Sequence, residues 1–182
     1  DTAEFDAWCY AYAAARRADL CENAVVWSRE ESRAELQQDS DTTRRQAYAA
    51  VQEGEVVGSA SLALFLKDNT HLAALGVNVP PQHRRAGVGT ALLRHVEAEA
   101  RDAGRTTMRV DIFWPAALPA DGAGPANLAF AQHHGYEVAL GDLQNRLDLP
   151  VADAVIDELL AEAPAAGYDL RSWVGPVPEQ FV

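Results

Sequence analysis

The chain has 182 residues and a formal net charge of −12, from 15 Lys and Arg against 27 Asp and Glu. At 48% hydrophobic and 23% charged residues, it has the composition of a globular protein long enough to bury a core. The acidic balance argues against nucleic-acid or anionic-membrane binding, because neutralising phosphates takes a surplus of Lys and Arg.

Two helices are predicted near the start of the chain. Apolar side chains recur at helical spacing from Phe5 to Ala15, which indicates an amphipathic helix. Ser28 followed by Glu31 is a capping box, which predicts a second helix over residues 29–38. The polar residues 39–43 after it are expected to form a loop.

Three strands are predicted next. The runs at residues 46–52 and 56–66 are strand-like, and the intervening Glu53-Gly54-Glu55 predicts a hairpin between them. A third strand is expected over residues 72–79, because the two prolines that follow cannot continue a central strand.

Helices and strands alternate in the rest of the chain. Apolar residues on one face predict a helix over residues 87–103, with Gly104 just past its end. Further predicted elements are a strand at 106–113, a helix at 127–134, short strands at 136–140 and 143–149, a helix at 152–162 and a strand at 168–174. This mixture, with hairpin-like neighbours, indicates an α+β or mixed α/β class.

Neither a membrane span nor a metal site is expected. The sequence has no apolar run of about 18 residues, the length that a transmembrane helix needs, and its start does not resemble a signal peptide. Cys9 and Cys21 are too few for a disulfide framework and lack metal-ligand spacing. We therefore expect a cytoplasmic protein with free thiols and no metal.

The segment from Val77 to Leu93 is the part of the sequence that points to chemistry. A strand ends there, a short loop crosses, and a helix begins at Gly87 and Gly89. Such a helix start has unpaired N–H groups and the positive end of the macrodipole, which favour an anion. Two arginines precede the glycines in an otherwise acidic chain, so the segment predicts a local pyrophosphate site.

Three other interpretations compete for this segment. A Walker A loop needs Lys after its last glycine, and the chain has its single Lys at position 67, so that reading fails. A dinucleotide fingerprint would use both glycines with Asp111 at a later strand end, but Leu92 occupies the third glycine position. A glycine turn with solvated arginines is the remaining alternative.

The run Arg84-Arg85-Ala86-Gly87-Val88-Gly89 resembles the Q/R-x-x-G-x-G/A signature of the GNAT superfamily of acetyl-CoA-dependent N-acetyltransferases. The order of predicted elements over residues 1–149 is also similar to that fold. The resemblance implies a central, mostly antiparallel sheet with a splayed strand pair, flanked by helices. It further implies transfer of acetyl from acetyl-CoA to an amine of a small molecule or peptide.

The resemblance also implies which residues hold coenzyme A. The loop amides of the family bind the pyrophosphate, a role implied here for Arg84, Arg85, Ala86, Gly87, Val88, Gly89 and Thr90. The preceding strand pairs with the pantetheine arm, which implies Val77 and Val79. An N–H near Val79 would also stabilise the oxyanion formed when an amine attacks the thioester. Asn127 is a weaker candidate for a cofactor contact.

The catalytic acid and base are not identified by the sequence. Relatives often have a Tyr four residues before the glycine that ends the penultimate helix, and Ala131 stands there, before Gly135. His71 is a candidate for a water relay to the amine or for a surface role, and both stay open. The histidines at 133 and 134 are expected to interact with the dipole at the end of their helix or to be solvated. Four aromatic residues are candidates for an acceptor cleft or for core packing: Trp8, Tyr12, Trp27 and Trp114.

Residues 150–182 extend past the region that resembles a single GNAT domain. The stretch from Tyr168 to Val182 is similar to the junction in tandem two-GNAT proteins of actinobacterial type. The expectation is therefore an N-terminal half whose partner is a second GNAT domain in the same polypeptide, or a homodimer. Because one half of such proteins can be degenerate, the alternative function is a non-catalytic half that binds coenzyme A or packs on a catalytic partner.

Overall fold

The computed structural model describes residues 2–38, 40–115, 125–142, 145, 147, 149–162, 171–176 and 178–181. The chain divides into two compact units, Asp1–Ala139 and Leu140–Val182. The domain boundary predicted from the sequence lies after Leu149, and that division stays a prediction.

All five predicted helices are present, within a few residues of the expected bounds. They are α1 (Thr2–Leu20), α2 (Arg29–Gln37), α3 (Val88–Asp102), α4 (Ala126–His133) and α5 (Asp153–Glu162). The capping box is confirmed, because the Ser28 hydroxyl accepts from the Glu31 N–H and the Glu31 carboxylate accepts from the Ser28 N–H. Two of the four unpaired N–H groups at the start of α2 are satisfied in this way.

Among the described residues, four strands form one sheet in the order β1-β2-β3-β4. Their bounds are β1 (Thr43–Gln52), β2 (Glu55–Phe65), β3 (Leu72–Asn78) and β4 (Thr107–Val110). The first three strands are antiparallel, and β4 lies parallel to β3 after the crossover through α3. The expected mixed α/β fold with a mostly antiparallel sheet is confirmed.

The two faces of the sheet are covered by different helices. Side chains alternate along a strand, and the even-numbered Leu62 and Leu64 of β2 pack with Leu92 and Val96 of α3. The odd-numbered residues of β2 lie on the other face, where α1 covers the strand and its Trp8 indole N–H donates to the Tyr48 carbonyl oxygen. We call these two sides the α3 face and the α1 face.

The strands β3 and β4 separate towards their carboxyl ends. Their paired positions end at Leu75 and Val110, while β3 stays paired with β2 as far as Asn78. The strand predicted at 106–113 is therefore shorter than expected, because Asp111 and the residues after it have left β3. The splayed strand pair that the family resemblance implied is confirmed by this separation.

Two strands predicted from the later sequence are wrong wherever the structure describes them. Residues 136–140 are not a strand, and the side chains of Val138 and Leu140 are 57% and 88% exposed. Of the strand expected at 168–174, residues 168–170 lie outside the described residues and 171–174 are not a strand. Most of the strand expected at 143–149 also falls on residues that are not described.

Candidate active site

The edge of β3 that faces the opening has unpaired backbone groups. The Thr107 N–H donates to the His71 carbonyl oxygen at 3.0 Å, so the odd-numbered residues of β3 direct their N–H and C=O groups towards β4. Val77 follows this alternation, but β4 has no residue paired with it. Its N–H and C=O groups therefore face the space between the diverging strands, where an extended ligand can pair with them.

The start of α3 lies beside this edge and has no side-chain cap. Gly87 occupies the N-cap position with φ of 85°, and no side chain caps the helix. The N–H groups of Val88, Gly89 and Thr90 have no acceptor within the helix, because they belong to its first turn. Arg85 also has a positive φ of 64°, so two residues of the loop before the helix, Arg85 and Gly87, lie in the left-handed region.

The two glycines of this loop are needed for different reasons. A Cβ at Gly87 would meet nothing within 4 Å, so its requirement is the left-handed backbone conformation. A Cβ at Gly89 would lie 3.3 Å from Cζ of Phe130 and 3.6 Å from Cγ2 of Val79. Gly89 therefore lets the ring of Phe130 in α4 pack closely on the start of α3.

The two arginines of the loop have different surroundings. The guanidinium of Arg84 donates from Nε to the Val79 carbonyl oxygen at 2.9 Å and from Nη1 to Asp19 Oδ1 at 2.8 Å. Arg84 thus fastens the end of β3 to α1, with its charge neutralised by Asp19. Arg85 is exposed and has no ion pair with any described residue, so its charge is available to a ligand.

A cavity of about 730 Å³ joins the β3 edge, the start of α3 and the space under α1. This volume is in the range of small-molecule sites. Eight of the ten residues expected to hold the cofactor line it: Val77, Val79, Arg84, Arg85, Gly87, Gly89, Thr90 and Asn127. Ala86 and Val88 are outside the lining. The amide of Asn127 is bonded within the protein, because its Nδ2 donates to the Phe113 carbonyl oxygen at 2.8 Å.

A stripe of α1 lines the same cavity from the opposite face. Trp8, Tyr12, Arg16 and Asp19 recur at intervals of four, four and three residues, which places them on one side of the helix. The two aromatic members were candidates for the acceptor cleft in the sequence, whereas the two charged members were not predicted to belong to a site. The signal was present, because Arg16 and Asp19 continue an otherwise aromatic stripe. The pairing of Asp19 with Arg84 spans 65 residues and could not be read from spacing.

The carboxylates of the cavity wall differ in their partners. Glu35 of α2 accepts from Nε of Arg45 at 3.0 Å, and Asp19 is bound to Arg84 as described. Asp111 lies just beyond β4 and has only a 3.4 Å contact with the exposed Arg109 of the same strand. Asp111 is therefore the carboxylate of this wall that does not hold two elements together.

The side chains near the expected acid position offer no free phenol. Ala131 is buried, and the nearby Tyr136 hydroxyl donates to Glu97 Oε1 at 2.8 Å. Burial, and then this hydrogen bond, raise the pKa of Tyr136 far above its usual value. Nε2 of His134 lies 3.3 Å from the Thr90 hydroxyl oxygen. The histidine at this position therefore contacts the loop at the start of α3.

The other candidates from the sequence differ in whether they line the cavity. His71 is exposed and, like Trp114, is outside its lining, whereas Trp27 lies within it. Cys9 is half-buried and Cys21 exposed, both as free thiols. The described part of the chain contains no cluster of His, Cys, Asp and Glu arranged for a metal ion. Nor does it contain a helix long and apolar enough to cross a membrane.

Comparison with known proteins identifies the family to which this fold belongs. A family model described as the acetyltransferase (GNAT) family matches residues 11–117, which is more than half of the chain. That range includes the second half of α1, all of α2, the four strands and α3, so it contains the β3 edge and the α3 start. No curated protein sequence matches the chain.

Solved structures of similar fold include a tandem GNAT protein from the clavulanic acid biosynthesis pathway. It is 27% identical with a TM-score of 0.62, and the match covers 74% of this chain and 40% of that one. The present chain thus spans two fifths of that protein's length.

Two other similar structures are below 25% identity and show a likeness of fold. The ribosomal-protein-S18-alanine N-acetyltransferase of Escherichia coli is 23% identical with a TM-score of 0.55, covering 77% of this chain and 76% of its own. AAC(6')-Iy, in complex with the bisubstrate analogue CoA-S-monomethyl-acetylneamine, is 18% identical with a TM-score of 0.55, covering 80% and 92%.

Proposed function

Because the chain belongs to the acetyltransferase (GNAT) family, we propose that it transfers an acetyl group from acetyl-CoA to the amine of a small molecule or peptide. One observation carries this proposal. The unpaired edge of β3 and the uncapped start of α3 open into one cavity, and they offer what a pantetheine arm and a pyrophosphate require.

Different residues of the site would bind different parts of coenzyme A. The N–H groups of Val88, Gly89 and Thr90, with the guanidinium of Arg85, would bind the pyrophosphate. The backbone of Val77 would pair with the pantetheine arm. Arg84 would act through its hydrogen bond to the Val79 carbonyl, which fixes the end of β3, since its charge is already paired with Asp19.

We propose Asp111 as the group that receives the amine proton. When bound, acetyl-CoA supplies an acetyl thioester, whose carbon–sulfur bond breaks as the acceptor nitrogen becomes an amide. The Asp111 carboxylate lies on the cavity wall without a strong internal partner, so it can bind an ammonium group and accept its proton directly or through water. An N–H near Val79, at the end of the same strand, would stabilise negative charge developing on the acetyl oxygen.

A non-catalytic half of a tandem protein is the second candidate. Two observations favour it: Ala131 replaces a proton donor, and the phenol of Tyr136 is bonded to Glu97. Loss of that donor need not stop the reaction. A thiol with a pKa of about 8.5 has a thiolate stable enough to leave before it is protonated.

Two measurements on the full chain separate these functions. Acetyl-CoA at a hundred times its Kd should stabilise the protein by about 2.7 kcal/mol, seen as a higher melting temperature. Release of free thiol from acetyl-CoA with an amine panel, with acetylated product found by mass spectrometry, then reports catalysis. Stabilisation without thiol release would support the non-catalytic half that binds coenzyme A. No stabilisation would contradict acetyl transfer and coenzyme A binding, and would leave only a half that packs on a catalytic partner.

A further inference from the structure

Arg16 of α1 lines the cavity with a buried and unsatisfied donor. Its Nε is buried and has no hydrogen-bond acceptor. Its guanidinium lies 4.4 Å from the ring centroid of Phe113 and 6.0 Å from that of Tyr12. No carboxylate of the described residues forms an ion pair with it, although the neighbouring Asp19 is bound to Arg84.

A buried N–H donor without an acceptor is costly, because the Nε atom of Arg16 has lost water and gained no hydrogen-bond partner. The aromatic rings beside Arg16 interact with the face of the guanidinium and leave its N–H edge free. A planar cation held in this way presents the donor geometry that suits a carboxylate. Arg16 is therefore prepared for an anion that the protein itself does not supply.

This anion would belong to the acceptor and not to coenzyme A. Arg16 stands on α1, which covers the α1 face of the sheet, while the uncapped start of α3 lies on the α3 face. Phe113 follows Asp111 by two residues, so in extended chain the two side chains point to the same side. Arg16, stacked on Phe113, and the carboxylate of Asp111, whose contact is with the exposed Arg109, therefore line the same cavity.

We propose that Arg16 determines acceptor specificity by binding a carboxylate of the acceptor. The acceptor class is then an amine that also carries a carboxylate, such as an amino acid. Asp111 would bind its ammonium group and Arg16 its carboxylate. This inference rests on the proposed acetyl transfer.

Matched acceptors test this assignment on the full chain. The standard α-amino acids, their carboxamides, and the carboxylate-free polyamine sisomicin are assayed for acetyl-CoA-dependent thiol release. We expect acids to have higher kcat/KM than their amides and than sisomicin. Arg16→Gln should raise KM for acids about tenfold while leaving KM for amides and the Kd of acetyl-CoA unchanged. The KM of Arg16→Lys for acids should fall between those of the wild type and Arg16→Gln, since lysine keeps the charge without the planar guanidinium.

The control variant is Arg17→Gln, which removes the adjacent exposed arginine of α1. It should leave the ratio of kcat/KM for acids to that for amides, and to that for sisomicin, unchanged. Amides or sisomicin acetylated as well as the acids, or an acid-to-amide ratio unchanged in Arg16→Gln, would overturn the assignment. A separate titration with N-acetyl-L-alanine and its amide needs no turnover. Preference for the acid in the wild type, lost in Arg16→Gln, supports it, and equal binding overturns it.

The proposed function fails by a different result. Absence of acetyl-CoA binding in the wild type would contradict the cofactor site, whatever the carboxylate titration shows. Acetyl-CoA binding with acetylation of carboxylate-free amines only would leave acetyl transfer standing and overturn the role of Arg16.

Discussion

Arg84 and Arg85 are adjacent in sequence, but the structure gives their charges different partners. Arg84 is bonded to Asp19 and to the Val79 carbonyl, whereas Arg85 is exposed beside the unpaired amides of the α3 start. The signature alone suggested two equivalent phosphate ligands. Spacing could not distinguish them, because the partner of Arg84 comes from a distant helix.

Replacing Arg85 should therefore weaken cofactor binding more than it weakens folding. We expect Arg85→Gln to raise the Kd of acetyl-CoA about tenfold and to reduce its salt dependence, because one charge-assisted contact is lost. Calorimetric titration at two salt concentrations measures both effects. Arg94→Gln, an exposed arginine of α3 outside the cavity, is the matched control and should bind normally. Equal salt dependence in Arg85→Gln and wild type would contradict the prediction.

Asp111 gives a prediction on rate. Asp111→Asn should lower kcat by about 10²–10⁴-fold, the range of general acid–base catalysis, and leave the Kd of acetyl-CoA unchanged. Steady-state thiol release and direct titration measure the two quantities. Asp68→Asn removes an exposed carboxylate elsewhere in the first unit and should retain full activity. Normal turnover by Asp111→Asn would assign the proton acceptor to another group.

At the scale of elements, sequence patterns predicted helices better than short strands. The capping box of α2 and the apolar face of α3 are local signals, and both helices formed where expected. A strand also needs a partner at the correct distance, which depends on the rest of the sheet. Residues 136–140 alternate like a strand, yet they do not form one and Leu140 stays exposed.

The capping box of α2 should make part of the stability depend on pH. Hydrogen bonds from the Ser28 N–H and then its side chain hold the pKa of Glu31 below its ordinary value of 4.5. Because the folded-state pKa is lowered, the stabilisation is complete above the unfolded value and is lost as pH falls through the folded one. Ser28→Ala should cost about 1 kcal/mol at neutral pH.

Denaturant unfolding from neutral pH to about pH 3 measures this dependence. Glu31→Gln keeps a side chain that can accept the Ser28 N–H but does not titrate, so its stability should fall less on acidification. The same loss on acidification in Glu31→Gln and wild type would show that the box does not contribute to the acid response.

For the whole molecule, the candidate site belongs to a single compact unit. Every described residue that lines the cavity, from Trp8 to Tyr136, precedes the end of the first unit at Ala139. A fragment of residues 1–139 should therefore bind acetyl-CoA with the affinity of the full chain, measured by titration. A fragment that folds but does not bind would show that residues after 139 complete the site.

The family could be identified from the sequence because its signature is a contiguous motif, from Arg84 to Gly89, and the proposed cofactor loop is that same motif. The acceptor side could not be identified, because it is assembled from α1, α2 and the end of β4, which meet only in the folded chain. Arg16 illustrates the difference. Its importance follows from Phe113 beneath it and from the absence of a carboxylate partner among the described residues.

Amide hydrogen exchange on the full chain, with and without saturating acetyl-CoA, tests the central claim most directly. The amides of Val77 and of Arg85 to Thr90 face the cavity or begin a helix, so they should exchange quickly in the free protein and slowly in the complex. The hairpin turn at Gly54 should be unaffected. Unchanged exchange at Val77 and at the start of α3, in protein shown to be saturated, would contradict the account.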